Sequence, residues 1–383
     1  MIRSIAEVVG RAERMEQRMR RVTRTGRMLS IVGSIAALAT IGVATLPVVQ
    51  DRLVAFFVTR QVGRDPAALS ADGLRVILCG IAPPAPSPHA RTCTAVIAGQ
   101  RIFVVDAGTG SANNLDQWHF PMGRISAILL THFHSDYIGD LGEFRRLSWT
   151  GGRHETLPVF GPDGVVKVVA GFNTAFAQDD EYRVALDDGS LATAPLTARP
   201  FGLADAAERR THMARRVILN DGALRITAFQ VDHEPVYPAV GYRFDYKGRS
   251  VVLSGDTAPS LDVVAMAHGA DLLVHEAQSD ELLGSVVQGL GNAGKARLAG
   301  QMREIARYHT TPVQAARIAE DARVRLLVFN HLGPIPPDNL LTRSIFLRGV
   351  AVTRPAAGWR LGAEGMTIDL PAGSDRIAVS SVR

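Results

Sequence analysis

Two histidines and an aspartate follow an apolar run at a spacing suited to metal binding. The segment Thr131-His132-Phe133-His134-Ser135-Asp136 comes directly after the run Ile125–Leu130. Alternate residues at the end of a strand point the same way, and a turn after the strand can then bring His132, His134 and Asp136 to one point. Imidazole and carboxylate groups are ligands that zinc and similar divalent metals prefer. The motif therefore predicts a metal site, the kind of site that activates water for hydrolysis.

Three further ligand-type residues also lie just after apolar runs. They are His233 after Leu224–Val231, Asp256 after Ser250–Leu253, and His331 after Leu326–Asn330. A single histidine in such a place is more often a buried structural residue than a ligand. Four runs that each end in a ligand-type residue instead indicate one shared site.

The elements that must position these residues are short strands and several helices. Strands are predicted at Leu74–Cys79, Thr94–Ala98, Ile102–Val105, Ile125–Leu130, Leu224–Gln230, Ala239–Tyr246, Ser250–Leu253, Leu272–His275 and Leu326–Phe329. Helices are predicted at Ile138–Trp149, Val165–Phe176, Ala296–Tyr308 and Pro312–Asp321. Strands followed by strands mixed with helices indicate sheets covered by helices, in a mixed α/β chain. The segment from Arg183 to Arg216 has weak periodicity and is predicted to be an insertion or surface loop.

The ordered motifs resemble those of the metallo-β-lactamase superfamily. The resemblance rests on the His132-x-His134-x-Asp136 segment, His233, Ser254-Gly255-Asp256-Thr257 and His331, supported by Val104-Val105-Asp106-Ala107-Gly108. Asp271-Leu272-Leu273-Val274-His275-Glu276-Ala277 and His309-Thr310-Thr311 are similar to the ribonuclease Z and arylsulfatase-like branch. This resemblance implies an αββα sandwich, from about Leu74 to the C-terminus, with metals at one rim.

By the same resemblance, six side chains bind metal: His132, His134, Asp136, His233, Asp256 and His331. The first ion is bound by His132, His134 and His233, and the second ion is bound by Asp136 and His331. Asp256 bridges both ions. We expect one or two zinc ions, with manganese or iron as alternatives. Asp136 is also expected to orient or deprotonate the attacking water, and Glu276 and His309 to protonate the leaving oxygen. A purely structural alternative for these last two is that Glu276 ends a strand and His309 ends a helix.

Two positions depart from the family pattern. The motif H-x-H-x-D-H ends in a histidine that binds the second metal, and here that position is Tyr137. A neutral phenol is a poor zinc ligand. Three outcomes are therefore open: a weak second metal site, a single metal ion, or a degenerate enzyme that has lost turnover. We favour a functional site with an impaired second metal. The Gly-Thr-Gly-Ser-Pro loop is also altered, to Gly80-Ile81-Ala82-Pro83-Pro84, which makes the family's substrates an unsafe guide.

The net charge of +5 is concentrated at the N-terminus. Residues 1–27 contain eight arginines and three glutamates, a difference that accounts for the whole excess. The remaining residues are close to neutral and do not indicate a polyanionic partner. With His331-Leu332-Gly333-Pro334, which looks arylsulfatase-like, this disfavours transfer-RNA processing. We therefore expect no nucleic-acid partner.

The N-terminus is predicted to attach the protein to a membrane. Residues 28–49 contain no ionisable side chain and are long enough to cross a bilayer as one helix. The arginine-rich arm, residues 1–27, orients this anchor with the following domain outside the cytoplasm. A signal peptide cleaved near Ala37-Leu38-Ala39 is the alternative. The predicted organisation is arm 1–27, anchor 28–49, linker 50–70 and hydrolase domain 71–383, in the inner membrane of a bacterium with the domain in the periplasm.

The predicted function is a membrane-anchored metal-dependent hydrolase of a phosphodiester, sulfate ester or related small ester. The alternatives are a lactone or β-lactam hydrolase, and a metal-binding or ligand-binding membrane protein that has lost turnover. A homodimer is left open. Cys79 and Cys93, the two cysteines of the chain, are predicted either to form a disulfide or to be buried free thiols.

Overall fold

A computed structural model describes residues 15, 32–36, 40, 43, 45–62, 72–186, 193–203, 214–334 and 336–382 of the chain. The chain divides into two compact units, Met1–Asp65 and Pro66–Arg383. The described part of the first unit contains helix α1 (Pro47–Val62), so the predicted linker 50–70 begins as a helix. The predicted arm 1–27 and anchor 28–49 lie largely outside the described residues. No helix in the described ranges is long and apolar enough to cross a membrane, so the structure gives the predicted anchor no support.

The described part of the second unit contains fifteen strands in two sheets. In chain order the strands are β1 (Gly73–Gly80), β2 (Cys93–Ala98), β3 (Arg101–Val105), β4 (Ile125–Leu129), β5 (Leu157–Gly161), β6 (Leu196–Pro200), β7 (Arg215–Asn220), β8 (Leu224–Gln230), β9 (Val240–Tyr246), β10 (Arg249–Leu253), β11 (Leu272–Gln278), β12 (Leu326–Gly333), β13 (Trp359–Leu361), β14 (Met366–Pro371) and β15 (Ala378–Ser381). The first sheet has the order β15-β14-β1-β2-β3-β4-β5-β6, and the second has the order β13-β12-β11-β10-β9-β8-β7.

Helices connect and cover these strands. They are α2 (Ser111–Gln117), α3 (Ser135–Ile138), α4 (Leu141–Thr150), α5 (Val165–Leu186), α6 (Leu261–Ala267), α7 (Asp280–Asn292), α8 (Ala296–Ile305), α9 (Pro312–Asp321), α10 (Leu340–Phe346) and α11 (Val350–Thr353). Helix α9 begins as predicted, because Thr311 caps it and exchanges hydrogen bonds with Gln314. The sequence did not predict α7. It also assigned strand β6 to a loop.

Alternate residues of β1 enter two different cores. Val76 and Leu78 pack in the larger core, with Phe103 of the first sheet and Phe244 of the second. Ile77 faces the other way, into a core that also contains residues of α2, α4 and α5. A strand that is apolar on both faces needs a layer on each side. The two sheets therefore stack face to face with helices outside, and the predicted αββα sandwich is confirmed.

The predicted ligands meet because several strands end at one rim. Strands β3, β4 and β5 run parallel in the first sheet, and β10, β11 and β12 run parallel in the second. Strand β8 runs the same way as β10, since each is antiparallel to β9. The carboxyl ends of these strands carry the motifs found in the sequence. The rim therefore gathers residues from both sheets.

Cys79 and Cys93 form a disulfide between β1 and β2, with their α-carbons 5.0 Å apart. Both residues are fully buried in the core beneath α2, α4 and α5. The structure thus selects the first of the two alternatives that the sequence left open.

Removing the disulfide is expected to lower the free energy of unfolding. The bond closes a loop with a sequence separation of 14 residues, and a loop of this size contributes about 2–4 kcal/mol by restricting the unfolded chain. Chemical denaturation followed by circular dichroism, on oxidised and reduced protein, measures the change. The Cys79→Ala/Cys93→Ala variant is the matched control, since reductant has no disulfide to act on there. A reduced wild-type protein as stable as the oxidised one would contradict the prediction.

Candidate metal centre

Asp106 fixes the loop that carries the first two histidines. It follows β3 in a left-handed conformation, with φ +61°. Its carboxylate accepts hydrogen bonds from Thr131 N (2.8 Å) and Thr131 Oγ1 (3.0 Å). Thr131 Oγ1 also lies 3.0 Å from His132 Nδ1, so the Nε2 atom of His132 is left for the site. In the sequence, Asp106 was part of a supporting motif but was given no role. Its position as an acidic residue at the end of an apolar strand was the signal that could have identified it.

His233 is oriented by a backbone carbonyl. Its Nδ1 lies 3.0 Å from the carbonyl oxygen of Tyr308, which follows α8. Its buried Nε2 has no hydrogen-bond partner among the described residues. A histidine that uses one ring nitrogen in this way presents the other in a fixed direction, as metal-binding histidines do.

Asp256 lies at the centre of the rim and is 2% exposed. The turn that delivers it needs glycine at Gly255, where φ is +62° and a Cβ would lie 2.6 Å from the carbonyl oxygen of Val240. Oδ2 of Asp256 lies 3.9 Å from His132 Nε2 and 3.8 Å from His233 Nε2. Burial alone would raise the pKa of Asp256, but the surrounding histidines hold it well below its usual range.

A bulge in β12 places His331 beside this carboxylate. The register with β11 shifts at this point, and His331 adopts a φ of +44°. The bulge turns the side chain into the site. His331 Nδ1 lies 3.4 Å from Asp256 Oδ1, and Nε2 lies 3.6 Å from Asp136 Oδ2. Burial opposes the charge on the ring, but Asp256 and Asp136 together raise the pKa of His331 to about 9.

Two groups of side chains bring their ligand atoms within 4.8 Å of one another. The first group is His132, His134, His233 and Asp256, and the second group is Asp256, His309 and His331. The second group contains His309 where the sequence placed Asp136, which contacts His331 instead. The assignment of individual ligands stays a prediction.

The donor atoms of these groups fit a divalent cation. His233 Nε2 and both ring nitrogens of His331 are buried and have no hydrogen-bond partner in the described part of the chain. Buried polar atoms are nearly always satisfied in folded proteins. The five imidazoles and the carboxylate of the two groups are instead a donor set that divalent metals such as zinc satisfy.

Tyr137 lies between the two groups. Its side chain is 1% exposed, and its hydroxyl donates a hydrogen bond to Asp256 Oδ1. The ring centroid lies 4.2 Å from that of His132 and 5.5 Å from that of His331. Burial, together with the nearby carboxylates of Asp256 and Asp136, raises the pKa of Tyr137 well above its ordinary value, so the phenol is neutral.

Glu276 and His309 form a buried pair at the edge of the site. Glu276 Oε1 lies 3.0 Å from His309 Nδ1 and accepts hydrogen bonds from the backbone N–H groups of Thr310 and Thr257. Burial lowers the pKa of His309, but Glu276 raises it, and the pKa is raised overall. Glu276 thus orients His309, and it also ties the His309 loop to the turn that carries Asp256.

A cavity of about 330 Å³ opens onto these residues. Pro83, Pro84 and Ala85, from the altered loop after β1, form one side. Met302 and Ile305 of α8 form another. His134, Asp136, Asp256, His309 and His331 also line the cavity. The arrangement can bind a polar reacting group at the rim, with apolar walls around it.

Comparison with known proteins places these features in a family. Residues 101–332 match the model of the beta-lactamase superfamily domain. Ribonuclease Z of Mycobacterium avium is 34% identical over 265 residues, which cover 68% of this chain and 86% of the relative. Ribonuclease Z of Mycobacterium sp. strain KMS is 32% identical over 268 residues, covering 69% and 86%.

Solved structures agree at the level of the fold. Human tRNase Z, short form, has a TM-score of 0.53 and 19% identity, covering 78% of this chain and 99% of that one. The metallo-beta-lactamase fold protein YhfI of Bacillus subtilis has a TM-score of 0.53 and 19% identity, covering 77% and 99%.

These relatives correct three expectations from the sequence. The similarity to proteins named ribonuclease Z shows that excluding a nucleic-acid partner was wrong. It also overturns the membrane-anchored small-ester hydrolase, including its lactone and β-lactam alternatives. The periplasmic placement, which depended on the predicted anchor, is wrong for the same reason.

Three observations point to the same family. They are the order of the motifs along the chain, their convergence at one rim of an αββα sandwich, and the sequence identity to the mycobacterial enzymes. The Glu276–His309 pair, whose histidine belongs to the second group, lies in the segments that first indicated the branch. The chain belongs to the metallo-β-lactamase superfamily, in its ribonuclease Z branch.

Proposed function

We propose that this chain is a zinc-dependent phosphodiesterase that cleaves RNA, with its activity in residues 71–383. The carrying observation is that ligand-type side chains of the buried cluster line one cavity together with His309, the residue that Glu276 orients. The identity to ribonuclease Z over most of that relative's length supports RNA as the substrate class.

The first group is the proposed site of the catalytic ion, with zinc favoured and manganese or iron as alternatives. A divalent ion there supplies Lewis acidity, which lowers the pKa of water and polarises phosphoryl oxygens. Asp136 is well placed to accept a proton from the attacking water, since its buried carboxylate borders the cavity beside His331. This role matches the one expected from the sequence.

His309 is the proposed donor of a proton to the leaving oxygen. Its Nδ1 is engaged by Glu276, so Nε2 remains for the cavity that His309 lines. Glu276 is 3% exposed and is absent from the cavity lining, so it acts through His309. We therefore describe Glu276 as a positioning residue and keep the catalytic role for His309.

A local basic surface supports a polyanionic substrate. Helix α8 lines the cavity with Met302 and Ile305, while Arg297 and Arg303 on the same helix are exposed to solvent. Arg307, just after the helix, is exposed too, and pairs with Glu304 at 2.9 Å. A polymer whose scissile phosphate lies in the cavity would have neighbouring phosphates near this helix, and arginine binds phosphate well.

Changing the Glu276–His309 pair should impair cleavage without removing the metal. Loss of a positioned proton donor in His309→Ala is expected to lower kcat by about 10²–10⁴-fold. Glu276→Gln keeps acceptor and shape but loses the charge, with an expected loss of about 10–100-fold. Cleavage of labelled transfer RNA and of an unstructured RNA of equal length, with metal content determined on the same samples, measures both effects.

The control is His154→Ala, because His154 is an exposed histidine before β5, at the opposite end of that strand from the site. Its rate should equal that of the wild type. Unchanged cleavage by His309→Ala would remove the proposed proton donor. Wild-type protein that cleaves neither RNA with zinc, manganese or iron added would refute the proposed function.

The basic face of α8 predicts a salt-dependent contribution to RNA binding. Arg297→Gln/Arg303→Gln should weaken binding and reduce the slope of log K against log salt by about 0.7–0.9 for each lost phosphate contact. Fluorescence anisotropy with labelled RNA at several salt concentrations gives the slope. Arg225→Gln/Arg317→Gln removes the same charge from exposed positions on β8 and α9 and should leave the slope unchanged. Equal slopes for the two double variants would place the RNA elsewhere.

A further inference from the structure

The two oxygens of Asp256 face different groups of ligand atoms. Oδ2 is the oxygen near His132 and His233, at 3.9 and 3.8 Å from their Nε2 atoms. Oδ1 is the oxygen near His331, at 3.4 Å from its Nδ1. Asp256 belongs to both the first and the second group. An ion held by the first group would therefore take Oδ2, and an ion held by the second group would take Oδ1.

Tyr137 binds the oxygen that the second group needs. Its hydroxyl donates to Oδ1 of Asp256, while Oδ2 receives no hydrogen bond from it. A hydroxyl that donates to a carboxylate forms a short, charge-assisted hydrogen bond. The ring is held between His132 and His331 and is buried, so the hydroxyl has little room to move aside.

The first group is untouched by this hydrogen bond. His132 and His233 keep their Nε2 atoms directed at Oδ2, and His134 Nδ1 lies 3.0 Å from His132 Nε2. Three imidazoles and one carboxylate oxygen make a complete tetrahedral set for zinc. The second group has two imidazoles, His309 and His331, and an oxygen already bound by a phenol.

We infer that Tyr137 restricts this centre to a single tightly bound metal ion, in the first group, by occupying Asp256 Oδ1. This inference rests on the proposed metal site and is independent of the proposed RNA substrate. Tyr137 is then the residue that sets how many ions the centre holds.

The test is metal titration of the full chain, stripped with a chelator and followed by calorimetry and elemental analysis after desalting. Wild-type protein should retain about one zinc ion per chain, and Tyr137→His about two, because histidine releases Oδ1 and adds a ligand. Tyr137→Phe removes only the hydroxyl, so its second ion should bind about tenfold more tightly than in wild type. Circular dichroism shows whether each variant is folded. If Tyr137→His does not fold, Tyr137→Phe alone provides the test.

Tyr242→Phe is the matched control. Tyr242 is a fully buried tyrosine whose hydroxyl donates to the carbonyl oxygen of Leu130, at 2.6 Å, and not to a ligand of the centre. Its metal content should equal that of the wild type. Two ions of similar affinity in wild type, or no change in second-ion affinity in Tyr137→Phe, would overturn the inference and leave the proposed hydrolase intact. No bound ion in any variant would overturn both.

Discussion

The buried carboxylate of Asp256 faces histidines that come from both sheets of the sandwich. His132 follows β4 of the first sheet, while His233 follows β8 and His331 lies in β12 of the second. A buried charge costs several kcal/mol unless it is paired. The histidines around Asp256 provide that pairing, and they keep its pKa low despite burial. The position of this one carboxylate therefore ties the rims of the two sheets to a common point.

The chain reaches this point through backbone conformations that are unfavourable elsewhere. Asp106 and His331 both have positive φ, at +61° and +44°, although neither is glycine. Such conformations cost about 1–3 kcal/mol and cluster at functional sites. Here each one aims a side chain: Asp106 at the loop before His132, and His331 at Asp256. The regular strands thus bring the residues near one another, and these local exceptions complete the alignment.

The sequence predicted the parts of the molecule that depend on local pattern. The ligand-type residues were found because each follows an apolar run, and the ends of such runs meet in a layered sheet fold. The contact of Tyr137 with Asp256 was out of reach, since it joins residues 119 positions apart and depends on side-chain packing. Helix α7 was missed, although Ser279 caps it and Asp280 and Glu281 occupy its first turn. The N-terminal prediction rested on the hydropathy of residues 28–49 and on the arginines that precede them, and most of residues 1–49 lie outside the described ranges.

The net charge gave a wrong expectation for a different physical reason. A sum over the domain gives the field at long distance, where salt screens it within about 8–10 Å. Binding of a polyanion depends on charges at contact, and Arg297 and Arg303 are exposed on the helix that lines the cavity. A domain close to neutral can therefore carry a phosphate-binding face, and composition cannot exclude one.

The cavity and the helices above it suit a substrate larger than the cavity itself. A volume of about 330 Å³ lies at the small end of ligand pockets, so a polymer can place only a short segment there. Helices α7 and α8 pack together through a small cluster of their own, Leu283, Val287 and Ala299, apart from the two main cores. A unit with few buried apolar contacts opens at lower free energy than the core. The rim therefore holds the ligand-type residues in place, while the α7–α8 wall would have more freedom to adjust to the rest of the proposed RNA substrate.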